Sequence, residues 1–227
     1  LTVAETVKRN GLKRGVIKLI CYYPEFSFEI LPTRKLLSVA VFALDPEQDL
    51  GKFGIPFETG TTAYVSSWRK LDPRTVPVEA KAAANYLNGM IARAEAKKNG
   101  FEHAVMLDTG GFIAEGGTES VFLVKGNCLM TPATGTVLRS ITRMSILEAA
   151  GEDGIECVEG QLKPELLFEA EEMFVSSSPF KVLPVKQIND HKLEDAPGPI
   201  TRKIAKLMEA IAKGEDDRFK EWLYMVA

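Results

Sequence analysis

The sequence predicts an α+β fold built around a mixed, barrel-like sheet. Four short apolar runs crowd together between His103 and Thr131: His103–Leu107, Phe112–Ala114, Ser120–Val124 and Cys128–Thr131. Only the turns at Thr109-Gly110-Gly111 and Gly126-Asn127 separate them, which is the pattern of consecutive strands. Helical patterns lie between and after the strands without alternating one for one, so a strictly parallel sheet is not expected. With 227 residues, 45% of them hydrophobic and 26% charged, the chain can build one large domain or two modest ones.

Taken in order, the opening TVAETVKRNG reads as the end of a helix with Gly11 near its C-terminus. Gly15–Tyr23 is β-branched and aromatic, hence a strand, and Pro24 ends it. Leu36–Leu44 is a nearly continuous apolar run, as expected of a strand covered on both faces. Asp45–Gly60 turns polar and carries Gly and Pro, so it is the expected domain boundary. Thr62–Trp68 is a further strand and Leu71–Pro77 a loop with two prolines.

Ala83–Asn99 is the clearest helix, with Tyr86, Leu87, Met90, Ile91 and Ala94 marking one apolar stripe and Gly100 closing it. After the strand cluster, Ser140 or Thr142 can cap a helix running to about Ala150. A strand at Ile155–Val158, a short helix at Pro164–Ala170 and strands at Glu172–Ser177 and Val182–Ile188 follow. Pro199–Lys213 is an amphipathic helix and Arg218–Met225 a last short one.

Composition narrows the function. Lys+Arg 28 against Asp+Glu 31 leaves a net charge of -3, with no excess of positive charge for nucleic acid or a membrane surface. No apolar run is long enough to cross a bilayer as a helix, and no signal peptide is visible. The three cysteines, Cys21, Cys128 and Cys157, are widely spaced in apolar runs and read as free buried thiols in a reducing, cytoplasmic compartment. No CxxC occurs, and His103 and His191 are far apart, so no metal site is expected.

Two residues between Lys81 and Ser120 stand out chemically. Lysine can trap a carbonyl as a covalent catalyst, and a carboxylate can hold a pyridine nitrogen protonated; pyridoxal phosphate chemistry uses both. Lys81 precedes AAANY, where small residues leave room for a ring, and Tyr86 can project toward the same space. On composition alone Lys81 is an exposed lysine near a helix start; beside a packed helix it is expected to be partly desolvated. Glu115, in FIAEGG, is by default a solvated turn acid, yet apolar residues flank it on both sides; Glu119 shares that ambiguity. Ser140-Ile141-Thr142-Arg143 opens a helix and is either a plain cap or an anion site. Ser176-Ser177-Ser178 before Pro179 adds hydroxyls, or is simply a turn.

In their order these blocks resemble the class IV aminotransferases, the fold-type-IV pyridoxal phosphate enzymes. The resemblance spans nearly the whole chain and is closest to the branched-chain members in AKAAANYLNGMIARAEAKKNGF, LDTGGFIAEGGTES, VFLVKGNCLMTP and GPITRKI. It implies a two-domain fold: residues 1–54 as the C-terminal part of a small domain, 55–68 as linker and first strand, and 69–227 as the large cofactor-binding domain. It implies pyridoxal 5'-phosphate bound covalently by Lys81, which also shuttles the proton. Tyr86 then lies by the phenolic oxygen, Glu115 by the ring nitrogen and Leu138 on the ring face. Ile141, Thr142 and Ser178 reach the phosphate.

The activity implied is amino-group transfer between an amino acid and a 2-oxo acid, with branched-chain substrates and glutamate first, in amino acid biosynthesis. D-amino-acid aminotransferase and aminodeoxychorismate lyase are the alternatives within the family, and a non-catalytic relative is the alternative outside it. A homodimer is implied as well. The departures lie in the substrate half. Lys18 and Val16 stand where branched-chain members carry arginine and tyrosine, and Pro179, just after Ser178 and two residues on from Ser177, a further substrate-binding candidate, lacks the N–H that helps bind the carboxylate there. Arg139 and Ser140 replace a common Pro-Gly, Ser120 a common Asn, and LDPEQDLGK an aromatic-rich loop. The native polypeptide is expected to extend upstream, supplying more strands and a phosphate-binding arginine.

Overall fold

The structure, a computed structural model, describes residues 2–11, 15–26, 28–29, 31, 36–45, 57–194 and 196–225. The boundary segment expected at Asp45–Gly60, its LDPEQDLGK stretch included, therefore falls largely outside the described residues, as do the first two residues of the expected linker at 55–68. The chain forms two compact units, residues 1–54 with 221–227, and residues 55–220.

The first unit holds helix α1 (Thr2–Asn10) and strands β1 (Val16–Tyr22) and β2 (Ser38–Leu44), paired antiparallel. Gly11 ends α1 in a left-handed conformation, φ +61°, which only glycine adopts without strain. Continuous apolar sequence made β2 look covered on both faces. Instead burial varies along it, with Val39 and Phe42 exposed, and Leu36 and Leu37 precede the strand.

The second unit contains β3 (Thr61–Val65), helix α2 (Tyr86–Lys98), and β4 (His103–Leu107), β5 (Ile113–Gly116), β6 (Ser120–Lys125) and β7 (Cys128–Pro132). Helix α3 (Ile141–Glu152), β8 (Glu156–Gly160), α4 (Leu166–Glu169), β9 (Glu172–Ser176), β10 (Leu183–Ile188), β11 (His191–Lys192) and α5 (Pro199–Lys213) follow. Strands β3, β4, β5, β6, β9 and β10 pair in a ring that closes where β10 meets β3, in parallel. The remaining strands extend this barrel at its edges. Alternate residues fill its core: Ala63, Val105, Leu107, Val121, Leu123, Met173, Val175, Leu183 and Val185. The period of two places their neighbours on the outside. There Ala104 and Met106 of β4 pack on Ala92 and Ala96 of α2, and Phe122 stacks on Phe174 at 4.7 Å.

That packing reverses the sequence reading of α2. Its buried face is Gly89, Ala92 and Ala96, whereas Leu87 and Met90 of the apolar stripe are each 63% exposed. Small residues win because the helix lies close to the barrel backbone. The run Thr62–Trp68 is a strand only to Val65, though Ser66 and Lys70 still donate to the carbonyls of Val105 and Leu107 on β4. Arg218–Met225 is not an α-helix; a 3-10 segment covers Asp217–Trp222. The cysteines are free but not buried, Cys21 being exposed and Cys128 and Cys157 half-buried.

Helix α5 follows the sequence closely. Pro199 sits in its first turn, Gly214 (φ +76°) ends it, and Thr201, Ile204, Met208 and Ile211 form its buried stripe. The buried Glu172 carboxylate accepts the N–H groups of Ile200 and Thr201, satisfying orphan donors of the first turn. Among the described residues no helix is long and apolar enough to cross a membrane.

Candidate active site

A pocket in the second unit is lined by Lys70, Lys81, Tyr86, Glu115, Leu138, Ser140, Ser177 and Ser178, among others. Lys81 sits on a short connection between Pro77 and the 3-10 turn Ala83–Asn85. The Asn85 amide donates to the carbonyls of Pro77 and Ala80, both at 3.3 Å, and so fixes the loop that presents the lysine. The Glu79 carboxylate accepts the Gly135 N–H at 2.8 Å and ties that loop to the opposite wall. Nζ of Lys81 stands 5.6 Å from the centre of the Tyr86 ring, so the two groups do share one space. Lys81 is exposed, not desolvated as expected: the small residues around it leave the pocket mouth open.

Glu115 is no turn acid. It lies within β5, where pairing with Ser120 of β6 carries it into the buried end of the pocket. One carboxylate oxygen forms an ion pair with Lys70, and the other accepts the Leu138 N–H at 2.9 Å. Leu138 is thus joined to Glu115 through its backbone.

Glu119 is the second buried acid. Its carboxylate accepts the N–H and hydroxyl of Thr118, and stands 3.2 Å from Nδ1 of His103 and 3.4 Å from Arg93. Burial works to raise its carboxyl, but the neighbouring His103 imidazole, the Thr118 N–H and Arg93 carry it below the usual range. These bonds hold the loop between β5 and β6 against α2.

On the far wall Ser140 caps α3, accepting the Arg143 N–H at 3.3 Å. The Thr142 hydroxyl lies 3.4 Å from that of Ser178, which brings the first turn of α3 to the turn after β9. The free N–H groups of that turn and two hydroxyls suit an anion. The Ile141 side chain is 77% exposed, so only its backbone can serve here. Ser177 lines the pocket and Pro179 is exposed on the turn beside it. Lys18 is an exposed residue of β1 in the first unit.

Sequence reasoning missed Lys70 and Asn85. Asn85 stands within ANY and could have been weighed as a loop staple; nothing local distinguishes Lys70 in WRKLDP. Together the pocket offers an amine, a phenol, a buried carboxylate and the Ser178 hydroxyl; Ile141 and Thr142 are not among its lining residues, and Thr142 reaches it through Ser178.

Comparison with known proteins identifies the family of the chain. Residues 2–188 match the family described as amino-transferase class IV. The chain is 32% identical over 225 residues to the branched-chain-amino-acid aminotransferase of Escherichia coli strain K12, covering 98% of this chain and 72% of that protein. It superposes on the branched-chain aminotransferase of Thermoproteus uzoniensis, crystallised with norvaline, with a TM-score of 0.88 at 34% identity, covering 100% of this chain and 74% of that one. For the PLP-form of the branched-chain amino acid aminotransferase from Thermobaculum terrenum the TM-score is 0.90 at 28% identity, covering 99% and 73%.

Proposed function

The chain belongs to the class IV aminotransferases, pyridoxal phosphate enzymes, and we propose that it exchanges the amino group of a branched-chain amino acid with 2-oxoglutarate. The observation that carries the site assignment is the convergence of Lys81, Tyr86 and Glu115 on one pocket whose other wall is the start of α3. The donor set fits the cofactor: an amine for its aldehyde, a carboxylate for its ring nitrogen, a phenol for its hydroxyl and an anion site for its phosphate.

When bound, the cofactor supplies the electron sink that makes a Cα proton removable. The chain's own residues do the rest. Lys81 would provide the amine that holds the cofactor and, when free of it, the base that takes and returns the Cα proton. Its exposed position gives it room to swing, and the Asn85 staple limits where its loop can go. Glu115, braced by Lys70 and the Leu138 N–H, would serve as the acceptor for the ring nitrogen. Tyr86 orients the ring hydroxyl. Thr142, Ser178 and the N–H groups of Ile141 and Thr142 bind phosphate. Ser177, which lines the pocket, is assigned to the substrate carboxylate, without a backbone donor at Pro179.

We assign cofactor binding to the second unit. A homodimer is supported by the apolar side chains left exposed on α2 (Leu87, Met90) and on the β1–β2 pair (Leu19, Val39). A cytoplasmic setting is supported by three free thiols.

The test is reconstitution with pyridoxal phosphate, borohydride reduction and peptide mapping, beside a panel of L- and D-amino donors. Reduction should fix the cofactor on Lys81 alone. Lys81→Ala should lose adduct and turnover while unfolding within about 0.5 kcal/mol of the parent, as an exposed residue should. Adduct at another lysine would remove Lys81 from its role, and preference for D-donors would remove the branched-chain assignment.

A further inference from the structure

The pocket holds two lysines, and the mechanism above uses one as a nucleophile. Lys70 is the better buried: its side chain is 8% exposed, and that of its partner Glu115 is 11% exposed. Its position is fixed from below, since its backbone N–H donates to the Leu107 carbonyl at the end of β4 at 2.8 Å. A buried ion pair is weak evidence for stability, because desolvating two charges offsets most of their attraction. Its place at the cofactor site suggests another use. A carboxylate has room for about four hydrogen bonds. Lys70 takes one on Oε1 and the Leu138 N–H one on Oε2, which leaves acceptor capacity for a third group in the pocket.

We propose that Lys70 is a positioning residue that acts on the cofactor ring through Glu115. Its ammonium keeps the proton shared between that carboxylate and the ring nitrogen on the nitrogen. The effect is electrostatic and rests on the cofactor assignment above. The ammonium touches a carboxylate oxygen, whereas a ring nitrogen bonded to the same carboxylate lies farther away. A positive charge so placed stabilises the carboxylate anion more than it destabilises the ring cation. The other ionisable groups lining the pocket, Glu119, Lys81 and Tyr86, belong to the β5–β6 loop, the Pro77–Asn85 connection and α2; Glu119 is already engaged with His103 and Arg93.

The experiment uses the full chain saturated with pyridoxal phosphate labelled with 15N in the ring, whose nitrogen shift separates pyridinium from pyridine. The parent should give a pyridinium signal and a borohydride adduct at Lys81. Lys70→Gln keeps a donor toward Glu115 without the charge. It should move the signal toward neutral pyridine, reflecting an about tenfold or larger change in the partition of the shared proton. Lys70→Met should act in the same direction, and covers the case in which the glutamine variant folds poorly. Lys70→Arg restores the charge and should restore the parent signal. A merely structural ion pair would change the melting point of the glutamine variant and leave its nitrogen signal in place, and that result overturns the proposal. An adduct at Lys81 with an unmoved signal defeats the role of Lys70 alone. A parent with neither adduct nor signal defeats the cofactor assignment, and this inference with it.

Discussion

Gly89→Ala is the substitution whose outcome depends most directly on how α2 seats against the site. Helix propensity alone says it should help, since alanine is favoured over glycine by about 0.8–1.0 kcal/mol in a helix interior. The packing says the reverse. A β-carbon on Gly89 would stand 1.9 Å from the carbonyl oxygen of Gly117 and 2.8 Å from its carbonyl carbon. A carbon meets such an oxygen at about 3.3 Å or more, so helix and loop must separate by roughly 1.4 Å. Backbone lies on the receiving side, and no side chain can rotate out of the way. Overpacking of this kind costs about 1–3 kcal/mol; at the upper end, less the propensity gain, the variant should lose about 2 kcal/mol. Gly117 belongs to the loop that carries Glu119 and joins the strand of Glu115 to β6. A displacement near 1 Å there should also slow turnover by about a hundredfold. Urea unfolding gives the first quantity, from the midpoint at unchanged slope, and the amino-donor half-reaction gives the second. A variant as stable as the parent, or more so, would refute the close approach and with it the reason why α2 buries its small-residue face.

Gly151→Ala is the control: in α3, with nothing within 4 Å of an added β-carbon, it should stabilise by about 0.5–1 kcal/mol in the same urea assay. Glu115→Gln should slow the half-reaction by about a hundredfold or more, and by leaving Lys70 buried without its counter-charge should cost about 3–5 kcal/mol in unfolding experiments. An unchanged rate would remove Glu115 from the mechanism. The Glu119 carboxyl titrates lower in the folded protein than in the unfolded chain, so its contribution to stability is complete above about pH 4.3 and fades as pH falls through the folded value. Glu119→Gln should therefore flatten the acid limb of stability against pH, and equal slopes in the two proteins would contradict this.

Elements with local signals were legible in the sequence. Helix α5 carries Pro199 in its first turn, a glycine at its end and an apolar stripe of helical period, and it forms over the residues those signals mark. Ser140 caps α3 because its side chain needs only the N–H of Arg143, three residues on. What depends on distant partners was not legible. The apolar stripe of α2 pointed to the wrong face because the seat of that helix is set by Gly117, on another element. Free thiols expected to be buried are not, since apolar sequence around a cysteine does not say which face of the strand it occupies.

The candidate site divides along the same line. Lys81 and Tyr86 are close in sequence, and one connection into one helix is enough to bring them together. Glu115 could be singled out but not placed: whether FIAEGG is a solvated turn or a buried strand depends on β4 and β6 pairing on its two sides. Lys70 could not be found at all. It reaches the pocket only because the chain after β3 keeps bonding to β4 as far as Leu107, while β5 folds back on β4 and carries Glu115 to meet it. Two strand pairings must be known before that ion pair exists. The group we assign to biasing the ring proton is therefore one that only the paired strands reveal.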